Sequence, residues 1–292
     1  MRINLGDGKF TAAIDSVGAE LRSFRHTATQ DEMIWIGDPA FWHGSAPILF
    51  PVIGRVKDGH YTWRGKTWEM LKHGLIRKLE WTVVKQTATE AVFRIVDNDY
   101  TRRYYPAAFS FDAGFTLTGN SMQVSYRVVN TGSEPMLFCV GSHPGINLPL
   151  EGTRLEDYYL EFNRPEHCPL YRLAPVDLVS TKPERILNGK VRIPLTQELF
   201  RDDALYLFGI ASDEITVGND RTGRAVKFHT GGVPDLGLWA APGAPYVCIE
   251  PWFGHDDFEN HDGIFEHKPD ILTLAPGAEF HTGYAISPAR CQ

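Results

Sequence analysis

Two short stretches carry side chains suited to proton transfer. In "YVCIEPWFG", Tyr246, Val247, Cys248 and Ile249 are nearly unbroken apolar, and a carboxylate, Glu250, then stands directly before Pro251. A carboxylate behind such a run is costly to bury without partners or a function. In "CVGSHPGIN", His143 sits between an apolar lead-in and Pro144-Gly145. The proline biases His143 to an extended conformation and the glycine permits close approach of backbone or ligand, so the imidazole is held in place. A glutamate of ordinary pKa about 4.3 and a histidine of about 6.5 can serve as base and acid near neutral pH. Two further segments repeat the pattern of apolar lead-in, polar group and glycine: "PVIGRVKDGHY" with Arg55, and "LKHGLIR" with Lys72, His73 and Arg77. Each residue also has a plainer reading. A strand-end imidazole bonds to a neighbouring carbonyl, a buried carboxylate pairs with an arginine, and Trp252 and Phe253 are core.

The elements that must position these groups are strands. In "FSFDAGFTL", Phe109, Phe111, Ala113, Phe115 and Leu117 alternate with polar or small residues, and Met122, Val124, Tyr126 and Val128 repeat the pattern after the turn residues "TGNS". The same strand–turn–strand design recurs around Arg64-Gly65, around Gln86 to Glu90 and around Pro276-Gly277. Helical periodicity is nearly absent; "TQELFRDD" at 196–203 reads as one short turn with Thr196 as N-cap. Glycine and proline are spread evenly, with no linker and no fixed-period repeat. The pattern predicts an all-β fold, a large antiparallel β-sandwich or barrel with few short helices, as a single domain over residues 1–292. In such a fold the concave polar face of a curved sheet is a natural ligand site.

Charge and composition exclude several partners. The 292 residues carry a net charge of −7 and no basic run longer than a pair such as Arg102-Arg103, which argues against nucleic acid. The N-terminus lacks the apolar core of a signal peptide, and no window approaches the ~20 apolar residues that span a bilayer. Cys139, Cys168, Cys248 and Cys291 are scattered without metal or redox spacing. The expectation is a soluble cytoplasmic protein, monomer or homodimer, with no membrane partner. The acid- and histidine-rich "GHDDFENHDGIFEH" contains His255, Asp256, Asp257, His261, Asp262 and His267; its spacing matches no metal motif, and it reads as a solvated loop.

Three ordered motifs, His73-Gly74-Leu75-Ile76-Arg77, His143-Pro144-Gly145-Ile146-Asn147 and Cys248-Ile249-Glu250-Pro251-Trp252, with Arg55 upstream, resemble the aldose 1-epimerases of the galactose mutarotase-like superfamily. The resemblance covers nearly the full length. It implies the galactose mutarotase-like supersandwich, with His143 as general acid and Glu250 as general base. It further implies Arg55 and His73 as residues holding sugar hydroxyls or the ring oxygen, and an aspartate in "RDDALYL", with Asp202 favoured over its neighbour Asp203. Arg77 and Trp252, as the motif arginine and a stacking aromatic, complete the expected sugar site. Galactose-specific members carry Asn before the acid histidine and an aromatic pair after it; here Ser142 and Gly145-Ile146 stand there, so galactose preference does not carry over.

The implied reaction opens the hemiacetal by removing the C1 hydroxyl proton while delivering one to the ring oxygen, then recloses it on the other face with roles reversed. Neither metal nor organic cofactor is required. Three other readings compete. A glycoside hydrolase needs two carboxylates flanking a bond. A carbohydrate-binding module would use Trp239, Trp252 and Phe253 as a platform but gives no reason for His143 and Glu250. A sugar-phosphate mutarotase would use Arg55, Lys72 and Arg77 against a 6-phosphate.

Overall fold

Alternation of apolar and polar residues decides which face of each strand is buried. In Phe109–Thr118, Phe109, Phe111, Ala113, Phe115 and Leu117 lie inside while the residues between them are partly or fully exposed. Ser121–Asn130 repeats the pattern and pairs antiparallel with it across a turn that contains Gly119 at φ +63°. The computed structural model, which describes residues 1–291, is built from such pairs. One antiparallel sheet of nine strands runs in the order Lys190–Pro194, Tyr158–Glu166, Glu214–Asn219, Arg224–His229, Glu279–Arg290, Ser121–Asn130, Phe109–Thr118, Glu90–Val96 and Thr82–Gln86. A second, of eight strands, contains Leu205–Phe208, Asp235–Trp239, Tyr246–Phe253, Val140–Ser142 and Ile48–Leu49 in that order, and Gly145–Asn147 also pairs with Tyr246–Phe253.

The inner faces of these two sheets meet. Phe50 of the loop beside Ile48–Leu49 packs 4.9 Å from Phe109 and 5.4 Å from Phe111, and the Tyr126 hydroxyl is hydrogen-bonded to that of Ser142 across the interface. One apolar cluster takes members from Ile3 to Ile286. Each fully buried aliphatic or aromatic side chain in it contributes about 1.5–3 kcal/mol. Cys139, Cys168 and Cys248 are buried free thiols that pack as small hydrophobes. Helical pieces among the described residues are six 3₁₀ turns of three or four residues. One is Gln197–Phe200, where the Thr196 hydroxyl accepts from the Leu199 N–H at 3.1 Å, the cap its sequence implies. None is long and apolar enough to cross a membrane.

The strand pair around Arg64-Gly65 forms as expected, His60–Trp63 against Lys66–Glu69, with both turn residues at positive φ (52° and 73°) as a two-residue type I′ turn requires. The pair around Pro276-Gly277 does not. Leu272–Leu274 pairs instead with Met136–Phe138, while Glu279–Arg290 pairs with Ser121–Asn130 and Arg224–His229. The physical reason is Asn130. Its buried amide donates to the Leu274 and Glu134 carbonyls, each at 2.8 Å, and accepts from Gly132 N–H at 2.9 Å, which ties the arm before the turn to a different neighbour.

Asn130→Ala strands those groups, so it should lower the unfolding free energy by about 2–4 kcal/mol. Urea denaturation with an unchanged m-value checks this, and a loss under about 0.5 kcal/mol, the size of an ordinary surface change, would contradict it.

Candidate active site

The ladder register brings the two motif residues together. Gly141 pairs with Trp252 and Gly145 with Cys248, so the same register carried through the interval sets His143 directly across from Glu250. On the other side Glu250 pairs with Gly237, and Gly237 with Tyr206. Cross-strand partners project to one face, so Tyr206, Gly237, Glu250 and His143 form a lateral row. Gly237 keeps the row open: a Cβ there would stand 2.3 Å from the Trp252 ring, which lies over it. Backbone bonds fix the His143 segment on both flanks, with His143 N–H donating to Pro47 O at 3.0 Å and Ile249 N–H to Pro144 O at 3.1 Å.

His143 Nε2 lies 3.2 Å from Glu250 Oε1, and both face a cavity of about 300 Å³. Trp42 packs on the imidazole at 4.9 Å, and Trp239 meets it edge-on at 5.6 Å. Trp42, Trp239 and Trp252 all line the cavity. His73 completes the imidazole's surroundings at 5.6 Å. The His73 Nδ1 accepts from Gly54 N–H at 3.1 Å, so Nε2 carries the proton and is the donor. His73 has φ +64° and Gly74 φ +74°; a Cβ on Gly74 would sit 2.0 Å from Phe50 O, so the "HG" pair needs its glycine.

Burial governs the charges. It drives the Glu250 carboxyl well above the usual carboxylate range, with Lys72 opposing and Asp256 and Asp203 reinforcing the shift. It pushes the His143 imidazole down to about 3, and holds His73 well below its ordinary value. Both shifts run toward uncharged groups, a neutral carboxyl and a neutral imidazole, because burial penalises either charge. Glu250 Oε2, His143 Nδ1 and Trp252 Nε1 are buried without a hydrogen-bond partner among the described residues.

The cavity gathers several predicted residues. His73, Arg77, His143, Glu250 and Trp252 line it, and Arg77 is anchored by donation to Lys72 O at 3.0 Å. Asp203 lines it as well, whereas Asp202 does not: the Asp202 carboxylate pairs with Arg201 Nε at 2.9 Å and is half exposed. Asp203 adopts φ +69°, and this turn sets which of the two neighbours points inward. Arg55 does not line the cavity either. Its N–H is held by Asp256 Oδ1 at 2.8 Å, and its guanidinium lines an adjoining cavity and reaches Asp177 at 3.8 Å. Phe253 packs on Phe280 at 5.1 Å, away from the site.

Sequence reasoning missed Trp42, Tyr206 and Asp256. Asp256 belongs to the segment read as a solvated loop, yet His255, Asp256, Asp257 and His261 are buried and only its rim is exposed. Asp257 explains the burial: it pairs with Lys268 Nζ at 2.6 Å and accepts from Lys57 N–H at 2.8 Å. A signal for Asp256 existed in Gly54, where a Cβ would fall 1.7–2.0 Å from the Asp256 carboxylate, although no sequence names the partner a glycine must clear.

A family model described as aldose 1-epimerase matches residues 1–287. The plasmid and chromosomal forms of protein LacX from Lactococcus lactis subsp. lactis are each 30% identical over 288 residues, covering 94% of this chain and 95% of theirs. An X-ray structure described as a galactose mutarotase related enzyme from Lactobacillus acidophilus is 32% identical with a TM-score of 0.92, covering 99% of this chain and 97% of that one. A galactose mutarotase-like protein from Lactobacillus casei is 28% identical with a TM-score of 0.91, covering 99% of this chain and all of that one.

The raised pKa of Glu250 makes a statement about stability. The folded chain keeps a proton there that the unfolded carboxyl releases above about pH 4.3, so this group destabilises the fold increasingly as pH rises. Glu250→Gln removes that cost. Its melting temperature relative to wild type should therefore climb between about pH 5 and about pH 8, as followed by scanning fluorimetry; a difference that shrinks with pH would contradict the assignment.

Proposed function

Since the chain belongs to the aldose 1-epimerase family, we propose that it interconverts the α and β anomers of a free aldohexose, with His143 and Glu250 moving the protons. The observation that carries this reading is the direct contact of the two groups at 3.2 Å on the floor of one cavity. Anomer exchange takes a proton from O1 and gives one to O5, and both oxygens are bonded to C1. An acid and a base that touch therefore match the reaction better than a pair spread across a sugar ring. The one proton held by the buried pair is the one that opening requires. One group delivers it to O5 while the other accepts from O1, and reclosure on the opposite face restores the starting state. No group other than these two must change charge, and the chemistry calls for no metal or redox cofactor.

The remaining lining residues suit a pyranose. About 300 Å³ is at the small end of ligand sites, which fits a monosaccharide. Trp42, Trp239 and Trp252 offer apolar faces to ring C–H groups, while His73 Nε2–H, Tyr206, Asp203 and Asp256 offer donors and acceptors to hydroxyls. Ser142 is turned into the sheet–sheet core against Tyr126, and Gly145 leaves space for Trp35 and Trp42, whose atoms would lie 3.0 and 3.5 Å from a Cβ there. Trp42 thus stands in for an aromatic after the histidine, and the hydroxyl pattern preferred need not be that of galactose.

A hexose 6-phosphate is the second reading. Lys72 and Arg77 both line the cavity and neither enters an ion pair among the described residues, so a phosphate would find two available cations. Two-dimensional exchange NMR between anomeric protons tests both. Free glucose or galactose should exchange well above the buffer rate, with kcat lowered about 10²–10⁴-fold in His143→Asn and in Glu250→Gln. Turnover confined to 6-phosphates and lost in Lys72→Ala would favour the second reading; exchange no faster than buffer for every sugar would leave a binding protein. Because the pair works in its neutral form, kcat/KM should stay level from about pH 7 down to about pH 5, and a fall centred near the ordinary imidazole value of about 6.5 would contradict it.

A further inference from the structure

We propose that Asp235, His255 and Asp270 form a binding site for a first-row divalent cation, built beside the sugar cavity and separate from it. One ligand atom from each of the three lies within 4.8 Å of the others, and none of the three lines the cavity of His143 and Glu250. The ligand chemistry is one imidazole and two carboxylates, a set that suits zinc and its neighbours.

Three independent features point to an ion. The His255 Nδ1 lies 2.6 Å from the Asp256 carbonyl, and a carbonyl only accepts, so Nδ1 carries a hydrogen and Nε2 is the nitrogen that faces the carboxylates. A ligating histidine is oriented by its second nitrogen in the same way. The ring is further fixed by stacking on Phe208 at 4.1 Å. Next, Asp235 is 2% exposed and its Oδ2 has no partner among the described residues, while Oδ1 receives only a long 3.4 Å bond from Gly209 N–H. A bare buried carboxylate oxygen of this kind is costly unless something positive meets it. Last, His255 Nε2 and Asp270 Oδ2 are already 3.5 Å apart. A tetrahedral ion about 2.1 Å from each donor sets donors about 3.4 Å apart, so this pair already has the spacing of two ligands of one ion. The Asp270 side chain is 58% exposed and provides the path from solvent.

The same three groups have one other way to coexist, a proton in place of the ion, with His255 as an imidazolium between its carboxylates. An ion here would act on structure: it would clamp the segment whose next residue, Asp256, enters the sugar cavity, to the strand Asp235–Trp239 and to the turn at Asp270.

Calorimetric titration of the whole chain with Zn²⁺ distinguishes ion from proton. Wild type and Glu250→Gln, which removes the carboxylate of the sugar site, should each bind an ion with matching affinity and gain melting temperature on its addition. Asp270→Asn, a substitution at an exposed position, should weaken that binding at least about tenfold and abolish the thermal gain. Absence of binding to wild type, or binding and thermal gain unchanged in Asp270→Asn, would overturn the proposal.

Discussion

A carboxyl and an imidazole held in cross-strand register inside an apolar sheet is the constraint on which the rest of this molecule depends. Neither group can be buried charged at low cost, and neither is removed by the fold. They coexist in contact at 3.2 Å, with burial favouring the uncharged form of each. The flanking structure keeps that contact in place: Pro144 and Pro251 stand beside the two groups, Gly237 yields its side-chain volume to Trp252, and Trp42 covers the imidazole. Rigidity of this kind suits the proposed proton transfer, because two groups fixed side by side can address two oxygens of one carbon without first moving.

Much of this was legible in the chain itself, and the exceptions have physical causes. Period-two alternation located Phe109–Thr118, Ser121–Asn130 and their pairing, since burial of one face leaves a strand little choice. A turn signal such as Pro276-Gly277 tells that the chain reverses but not which strand it will join; Asn130, far away in sequence, settles that. Motif residues identified His143, His73, Arg77 and Glu250 as neighbours of one cavity. Arg55 and Asp202 do not line it, because a motif fixes a backbone position while the side chain's direction follows from local hydrogen bonds and from a positive φ at Asp203.

Composition misled where burial depends on partners. "GHDDFENHDGIFEH" looks like solvated loop when counted, and much of it is interior because Lys268 pairs with Asp257 and the backbone N–H groups of Arg55 and Lys57 donate to Asp256 and Asp257. That segment joins the cavity of His143 and Glu250 through Asp256 to the neighbouring cluster of His255, Asp235 and Asp270.

The protonation state of His143 is the most direct measure of the account. In ¹⁵N-edited NMR of the uniformly labelled protein, with the signal assigned by its loss in His143→Asn, the imidazole should show the split nitrogen shifts of a neutral ring at neutral pH and keep them on acidification to about pH 5. Two near-equal imidazolium shifts at neutral pH, or a titration near about 6.5, would mean that carboxylate and imidazole carry opposite charges instead of sharing a single proton, and the account would fail.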